Sequence, residues 1–170
     1  PSVGKLVPKV KHTARILYII YLGMTLIEII LLLCGGMSLF DSLTISFGTA
    51  GTGGLGIKND SMASYSPYLQ WVVTIFMILF GVNFNAYYLM LCNKFKKGFG
   101  MEEVRCYLTI VGVSTLVIFF NILQKSKGIF DALTHSAFQV ASIITTTGYS
   151  TTDFNLWPQA VKALIVILMF

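Results

Sequence analysis

The sequence predicts an all-α membrane protein built from two tandem repeats, each a long helix, a short re-entrant helix with its loop, and a second long helix. Composition, the spacing of apolar runs and an internal duplication predict it. Of 170 residues, 55% are hydrophobic and only 11% are charged, whereas a soluble domain carries about 25% charged residues. Most of this surface cannot face water, which excludes an ordinary cytosolic enzyme and a disordered tail. The net charge of +5, from 12 Lys+Arg against 7 Asp+Glu, sits in short islands between apolar runs. That pattern sets membrane orientation rather than binding nucleic acid. Cys34, Cys92 and Cys106 lie in or beside apolar runs without C-x-x-C spacing. No disulfide frame or zinc site is implied, and inert thiols packed between helices are expected.

A helix needs roughly 20 apolar residues to cross about 30 Å of hydrocarbon. The run 16–35 has one charge, Glu28; 67–92 has none; 104–123 has none beyond Arg105 near its start. A fourth span, 158–170, is truncated: from Ala160 only about eleven residues remain, too few to cross a bilayer. The chain therefore reads as a segment of a longer polypeptide. Basic residues precede the first run, but no small-residue cleavage site follows it, so no signal peptide is read.

Two half-apolar stretches, 37–50 and 128–144, are expected as short re-entrant or interfacial helices. Each ends in a Thr/Gly-rich tract, 51–57 and 145–150. Each tract leads through a polar loop to Pro67 or Pro158 and a further apolar run, proline being a helix-start signal. Phe40-Asp41-Ser42-Leu43-Thr44 recurs as Phe130-Asp131-Ala132-Leu133-Thr134, 90 positions on, whereas Gly54 and Gly148 are 94 apart. The difference is about one helical turn, so the second short helix is expected to be one turn longer. Repeat one is 1–97, with a basic linker from 93; repeat two is 98–170.

Lys5, Lys9, Lys11 and Arg15 precede the first span, and Lys94, Lys96, Lys97 and Arg105 separate the second from the third. Two spans with a re-entrant loop between them return to their starting side, so both clusters share a side. The positive-inside rule makes it cytoplasmic. The tracts then enter from the outer face, where Lys58, Lys125 and Lys127 are accompanied by Asp60, Asp131 and Asp153.

Irregular backbone at membrane depth survives only where it is buried in protein or lines water. Successive carbonyls in a glycine-permitted conformation can replace a cation's hydration shell, and threonine adds hydroxyl oxygens. The partially negative C-terminal end of each short helix favours a cation there. Ser38 and Asp41 have capping-box spacing at the opposite end. Gly51-x-Gly53-x-x-Gly56 matches a dinucleotide fingerprint in letters only, because that motif needs a strand before it and a helix directly after it.

These residues resemble the Trk/Ktr family of potassium-translocating membrane subunits, in its Trk-type branch. Phe138-Gln139-Val140-Ala141-Ser142-Ile143-Ile144-Thr145-Thr146-Thr147-Gly148-Tyr149, Asp153-Phe154 and Trp157-Pro158 carry the resemblance most specifically. Gly36-Met37-Ser38-Leu39-Phe40-Asp41 and the stretch from Met77 through Asn83-Phe84 are also similar to that branch. The resemblance implies four helix–pore-loop–helix repeats around a pseudo-fourfold, potassium-channel-like filter. This chain is similar to the middle two, ending just before the family's glycine-rich gate loop. It makes 37–50 and 128–144 pore helices and 51–57 and 145–150 filter tracts. Gly54 and Gly148 then stand as filter glycines, with oxygens from Thr52, Gly53, Thr145, Thr146 and Thr147 beside them. The family has an aromatic after the glycine, as at Tyr149, but this chain has Leu55 in the first tract. A serine at Gly54 is therefore expected to act more weakly than one at Gly148. Also implied are potassium as the transported ion, no cofactor, and a bacterial cytoplasmic membrane. The implied partners are the remaining repeats of one polypeptide, a second copy forming a homodimer, a cytosolic nucleotide-binding regulatory subunit and membrane lipid.

Several polar residues keep two readings. Glu28, inside a span, is a functional carboxylate by default or a protonated group bonded to a neighbouring helix. Asn83 and Asn85 line an ion path or join helices by hydrogen bonds. His135 is a pH sensor or a hydrogen-bonded packing residue. An alternative to a pore is a secondary transporter with broken helices and an occluded site, in which Glu28, Asn83 and Asn85 matter more than the glycines. No catalytic constellation is present, so no enzyme is expected.

Overall fold

The computed structural model describes residues 6–91, 100–123, 126 and 128–169. The basic residues Lys5, Lys94, Lys96, Lys97, Lys125 and Lys127, the side chains of Lys9 and Lys11, and Cys92 lie outside the described residues. The described residues form seven α-helices and no strand: α1 Leu6–Cys34, α2 Leu39–Ala50, α3 Pro67–Gly81, α4 Phe84–Leu91, α5 Glu102–Ile122, α6 Ile129–Ile144 and α7 Gln159–Leu168. A short 3-10 turn, Phe154–Leu156, precedes α7. Two stretches, Thr13–Cys34 in α1 and Glu102–Ile122, are long and apolar enough to cross a membrane.

Local chemistry sets the ends of these helices. Gly36, at φ +83°, takes the left-handed position after α1, and Met37 N–H then donates back to the Leu32 carbonyl at 3.2 Å. Ser38 caps α2, its Oγ accepting from Asp41 N–H at 3.1 Å. The Asp41 carboxylate accepts from the Tyr65 hydroxyl at 3.1 Å. Burial, then that hydrogen bond and the charges of Asp41 and Asp60, push the Tyr65 hydroxyl up to about 12. It therefore stays a donor, pinning the outer loop to the start of α2. Ser66 and Pro67 open α3. The helices α2 and α6, of 12 and 16 residues, begin 90 positions apart and end 94 apart.

The apolar run 67–92 reads from sequence as one span, but it is two helices, α3 and α4, bent by 89° at the break. Val82 is extended, at φ −74° and ψ 141°. Asn83 Oδ1 then accepts from Asn85 N–H at 2.9 Å, capping a new helix. Apolarity masked a glycine–valine–asparagine stop. Cys34 and Cys106 are free and exposed rather than packed between helices.

Helix α1 packs on α2, α3 and α4; α5 packs on α6 and α7; α3 against α6 joins the repeats. Phe138, Ala141 and Tyr149 of the second repeat belong to the core formed by Leu32, Ile45, Val73, Phe76 and Met77 of the first. Helix α6 buries Ala132, Ser136, Ala137, Ala141 and Ser142, small residues that permit close helix approach without a hydrophobic drive. Trp71 Nε1 donates to Thr134 Oγ1 at 2.9 Å across this junction.

Candidate ion filter

Both short helices unwind in the same way. Gly53 N–H donates back to the Gly48 carbonyl at 2.7 Å, and Thr147 N–H to the Ser142 carbonyl at 2.9 Å. Thr52 and Thr146 have φ of +49° and +57°, and Gly54 and Gly148 of +60° and +90°. Left-handed backbone thus recurs at the first and third residues of a Thr-x-Gly unit, 94 positions apart. For a β-branched residue such a conformation is an outlier that costs roughly 1–2 kcal/mol. It persists only where the surroundings over-determine it, which is typical of functional segments.

The two tracts touch. A Cβ added to Gly54 would collide with the Thr147 carbonyl and stand 3.2 Å from the Gly148 carbonyl carbon, whereas one on Gly148 would meet nothing within 4 Å. The segments that follow are laced together: Met62 N–H donates to the Ser150 carbonyl at 2.9 Å, and Ser150 N–H to Ser61 Oγ at 3.2 Å. Thr145 Oγ1 donates to the Ala141 carbonyl at 2.7 Å and lies 2.8 Å from Thr147 Oγ1. Ser142 Oγ donates to the Tyr149 carbonyl at 2.6 Å. Each tract also continues directly from a helix C-terminus, whose partial negative charge attracts a cation.

The side chains after the two glycines differ. Tyr149 is 1% exposed, and its hydroxyl crosses to α2 to donate to the Ile45 carbonyl at 3.2 Å. Gly48 makes room for it, since a Cβ there would collide with the Tyr149 hydroxyl. Leu55 is 77% exposed. The second tract is therefore anchored on the short helix of the first repeat, a contact that the sequence reading missed. Its one signal was a glycine inside an otherwise helical stretch.

The other polar residues are dispersed. Glu28 is fully buried on α1. Asn83 Nδ2 donates to Glu103 Oε2 at 2.7 Å, so Asn83 both starts α4 and ties it to α5. Asn85 contributes the capped N–H, and both asparagines are exposed. His135 Nε2 pairs with Asp131 at 3.2 Å, and its Nδ1 lies 2.8 Å from Thr151 Oγ1. It thus links the start of α6 to the segment after the second tract. His135 also lines a cavity of about 340 Å³ with Asp153 and Trp157.

The family model of the cation transport protein TrkH matches residues 2–170. The Trk system potassium uptake protein TrkH of Salmonella typhimurium is 29% identical over 173 residues, covering 98% of this chain and 35% of the relative. The protein of that name from Vibrio parahaemolyticus is 28% identical over 172 residues, covering 98% and 36%. The Trk system potassium uptake protein TrkG of Escherichia coli is 28% identical, covering 98% and 35%. The crystal structure of the potassium transporter TrkH from Vibrio parahaemolyticus matches with a TM-score of 0.88 at 28% identity, over 95% of this chain and 36% of that one. The chain spans about a third of the length of the curated relatives it matches. These relatives are named as transport proteins, not enzymes. With nearly every residue matched and the fold shared, the chain belongs to the TrkH family of cation transport proteins.

Proposed function

We propose that the chain supplies two neighbouring quadrants of a potassium-selective pathway. In it, oxygens of Thr52, Gly53 and Gly54, and of Thr145, Thr146, Thr147 and Gly148, replace the water around the ion. The observation that carries this reading is one strained backbone pattern, left-handed threonine and left-handed glycine, present in two tracts that touch. Potassium is cargo here, not a resident cofactor. The remaining quadrants come from further repeats of one longer polypeptide, in keeping with relatives that this chain covers only to 35%. Two such polypeptides form a homodimer in the bacterial cytoplasmic membrane, contacting lipid and regulated by a cytosolic nucleotide-binding subunit. Gly148→Ser in the polypeptide that carries this segment adds a side chain to left-handed backbone in open space. Relief of that strain would move the carbonyls that meet the ion, so the preference for potassium over sodium should fall, by up to about 30-fold, the equivalent of the whole backbone cost. An unchanged preference there and in Gly54→Ser would reduce the tracts to connecting turns.

In this reading residues before Arg15 and the linker 93–103 are cytoplasmic, and the loop carrying Lys58 is outside. In a cysteine-free background, a membrane-impermeant thiol reagent added to intact cells should label Lys58→Cys and spare Lys96→Cys. The reverse pattern would invert the topology.

A further inference from the structure

The two repeats use one aspartate in different ways. Asp41 and Asp131 each stand third in their short helix. Asp41 accepts from the Tyr65 hydroxyl at 3.1 Å. Asp131 instead faces His135 Nε2 at 3.2 Å, one turn on, where the matching place in α2 holds Ile45. His135 Nδ1 then lies 2.8 Å from Thr151 Oγ1. Thr151, 4% exposed, stands three residues after Gly148. Two turns further along α6, Ser142 Oγ donates to the Tyr149 carbonyl at 2.6 Å. The segment leaving the second tract therefore runs back along α6 and is fastened to it twice, once by a serine and once by a histidine. A carboxylate only accepts, so in the neutral ring Nε2 carries the proton and Nδ1 accepts from the Thr151 hydroxyl. With a second proton on the ring, Nδ1 donates to Thr151 Oγ1 and the Asp131 contact becomes a charged pair. Charge-assisted hydrogen bonds are roughly twice as strong as neutral ones, so both contacts tighten.

We propose that His135 is a positioning residue through which protons of the outer solution set the cation preference of the second tract: its charged form holds the segment after Gly148 to α6 more tightly than its neutral form does. His135 touches no ion and acts through Thr151. Its side chain is 21% exposed and lines a cavity of about 340 Å³, which the topology proposed for the chain opens to the outside. Asp131 and Asp153 are the other titratable groups lining that cavity, and Lys162 of α7 does not reach it. Asp60, from the first outer loop, shares an adjoining cleft with Asp153. Lys125 and Lys127, between α5 and α6, lie outside the described residues. The first repeat has no such control, because its tie to Asp41 runs through the Tyr65 hydroxyl, pushed up to about 12 and so protonated throughout.

This rests on the filter reading, and the test separates the two. In the full polypeptide carrying this segment, rubidium uptake and its competition by sodium are measured from about pH 8 to about pH 5.5 outside. That window crosses the range in which histidines ordinarily change charge and stays above the ordinary carboxylate range. The variants are His135→Gln, Thr151→Val, Tyr65→Phe and the reference Gly148→Ser, with size-exclusion profiles to verify folding. In the unaltered protein the rubidium-over-sodium preference should rise about fivefold on acidification, the scale on which a charge-assisted hydrogen bond exceeds a neutral one. His135→Gln has no charge to gain and Thr151→Val has no hydroxyl to hold, so both should flatten the rise. Tyr65→Phe, which cuts the tie of the other repeat, should keep it. If His135→Gln does not fold, Thr151→Val against Tyr65→Phe decides. Absence of the rise in the unaltered protein, its persistence in folded His135→Gln or Thr151→Val, or its loss in Tyr65→Phe would each overturn the proposal. No effect of Gly148→Ser on the preference would instead overturn the filter reading beneath it.

Discussion

Gly54→Ser should lower potassium uptake by the polypeptide that carries this segment roughly 30-fold or more, and should act more severely than Gly148→Ser. The order reverses the expectation drawn from Leu55, and the reason is local. Both glycines sit in left-handed backbone, at φ +60° and +90°, which costs a side-chain-bearing residue roughly 1–2 kcal/mol. Only at Gly54 does the new Cβ also collide with backbone, the Thr147 carbonyl of the neighbouring tract. Overpacking adds about 1–3 kcal/mol, and a carbonyl held at both ends cannot rotate aside as a side-chain tip does. The sum, about 2–5 kcal/mol, corresponds to a loss between roughly 30-fold and a few thousandfold. Initial rates of rubidium uptake at matched expression give the comparison. Uptake in Gly54→Ser equal to or above that of Gly148→Ser would mean that the two tracts do not meet as described.

A second large effect concerns the 170-residue segment alone. In the proposed reading a filter surrounds its ion, and two tracts close only half of a fourfold ring. Phe40, Phe47, Ile129 and Phe130 are exposed and one side of Gly148 is open, surfaces that further repeats would cover in that reading. Without them, filter backbone faces lipid, where each unsatisfied group costs several kcal/mol. Reconstituted as a monomer in liposomes, the segment should carry no rubidium above the empty-vesicle rate, against robust flux from the longer polypeptide. Selective flux from the monomeric segment would contradict the four-repeat reading.

Much of the architecture was legible because its signals are local. Ser38 three residues before Asp41, Pro67 after Ser66, and the shift from a 90- to a 94-residue offset each report on a neighbourhood of one or two turns. The helix ends of α2 and α6 follow that shift. The break at Val82 and Asn83 was hidden because an uncharged run of that length satisfies the hydropathy criterion for a span. Asn83 decides otherwise through a side-chain hydrogen bond that hydropathy does not weigh. The contacts that hold the two tracts were illegible for a different reason. Tyr149 on Ile45, Trp71 on Thr134 and Gly54 against Thr147 join residues 104, 63 and 93 positions apart. Packing of the second repeat against the first, α3 on α6 included, brings such partners together. Gly48 and Gly54 could be read as flexible, but not as places where a neighbour fills the space of a missing Cβ.

The central claim is that Thr52–Gly54 and Thr145–Gly148 line one cation path, and the most direct measurement is the anomalous scattering of rubidium in crystals of the full polypeptide. Density is expected beside Thr52, Gly53, Gly54, Thr145, Thr146, Thr147 and Gly148, coordinated by oxygens of these residues and shared between the two tracts. Density at Glu28 or beside Asn83 and Asn85, with none between the tracts, would contradict the filter and favour a carrier with an occluded site.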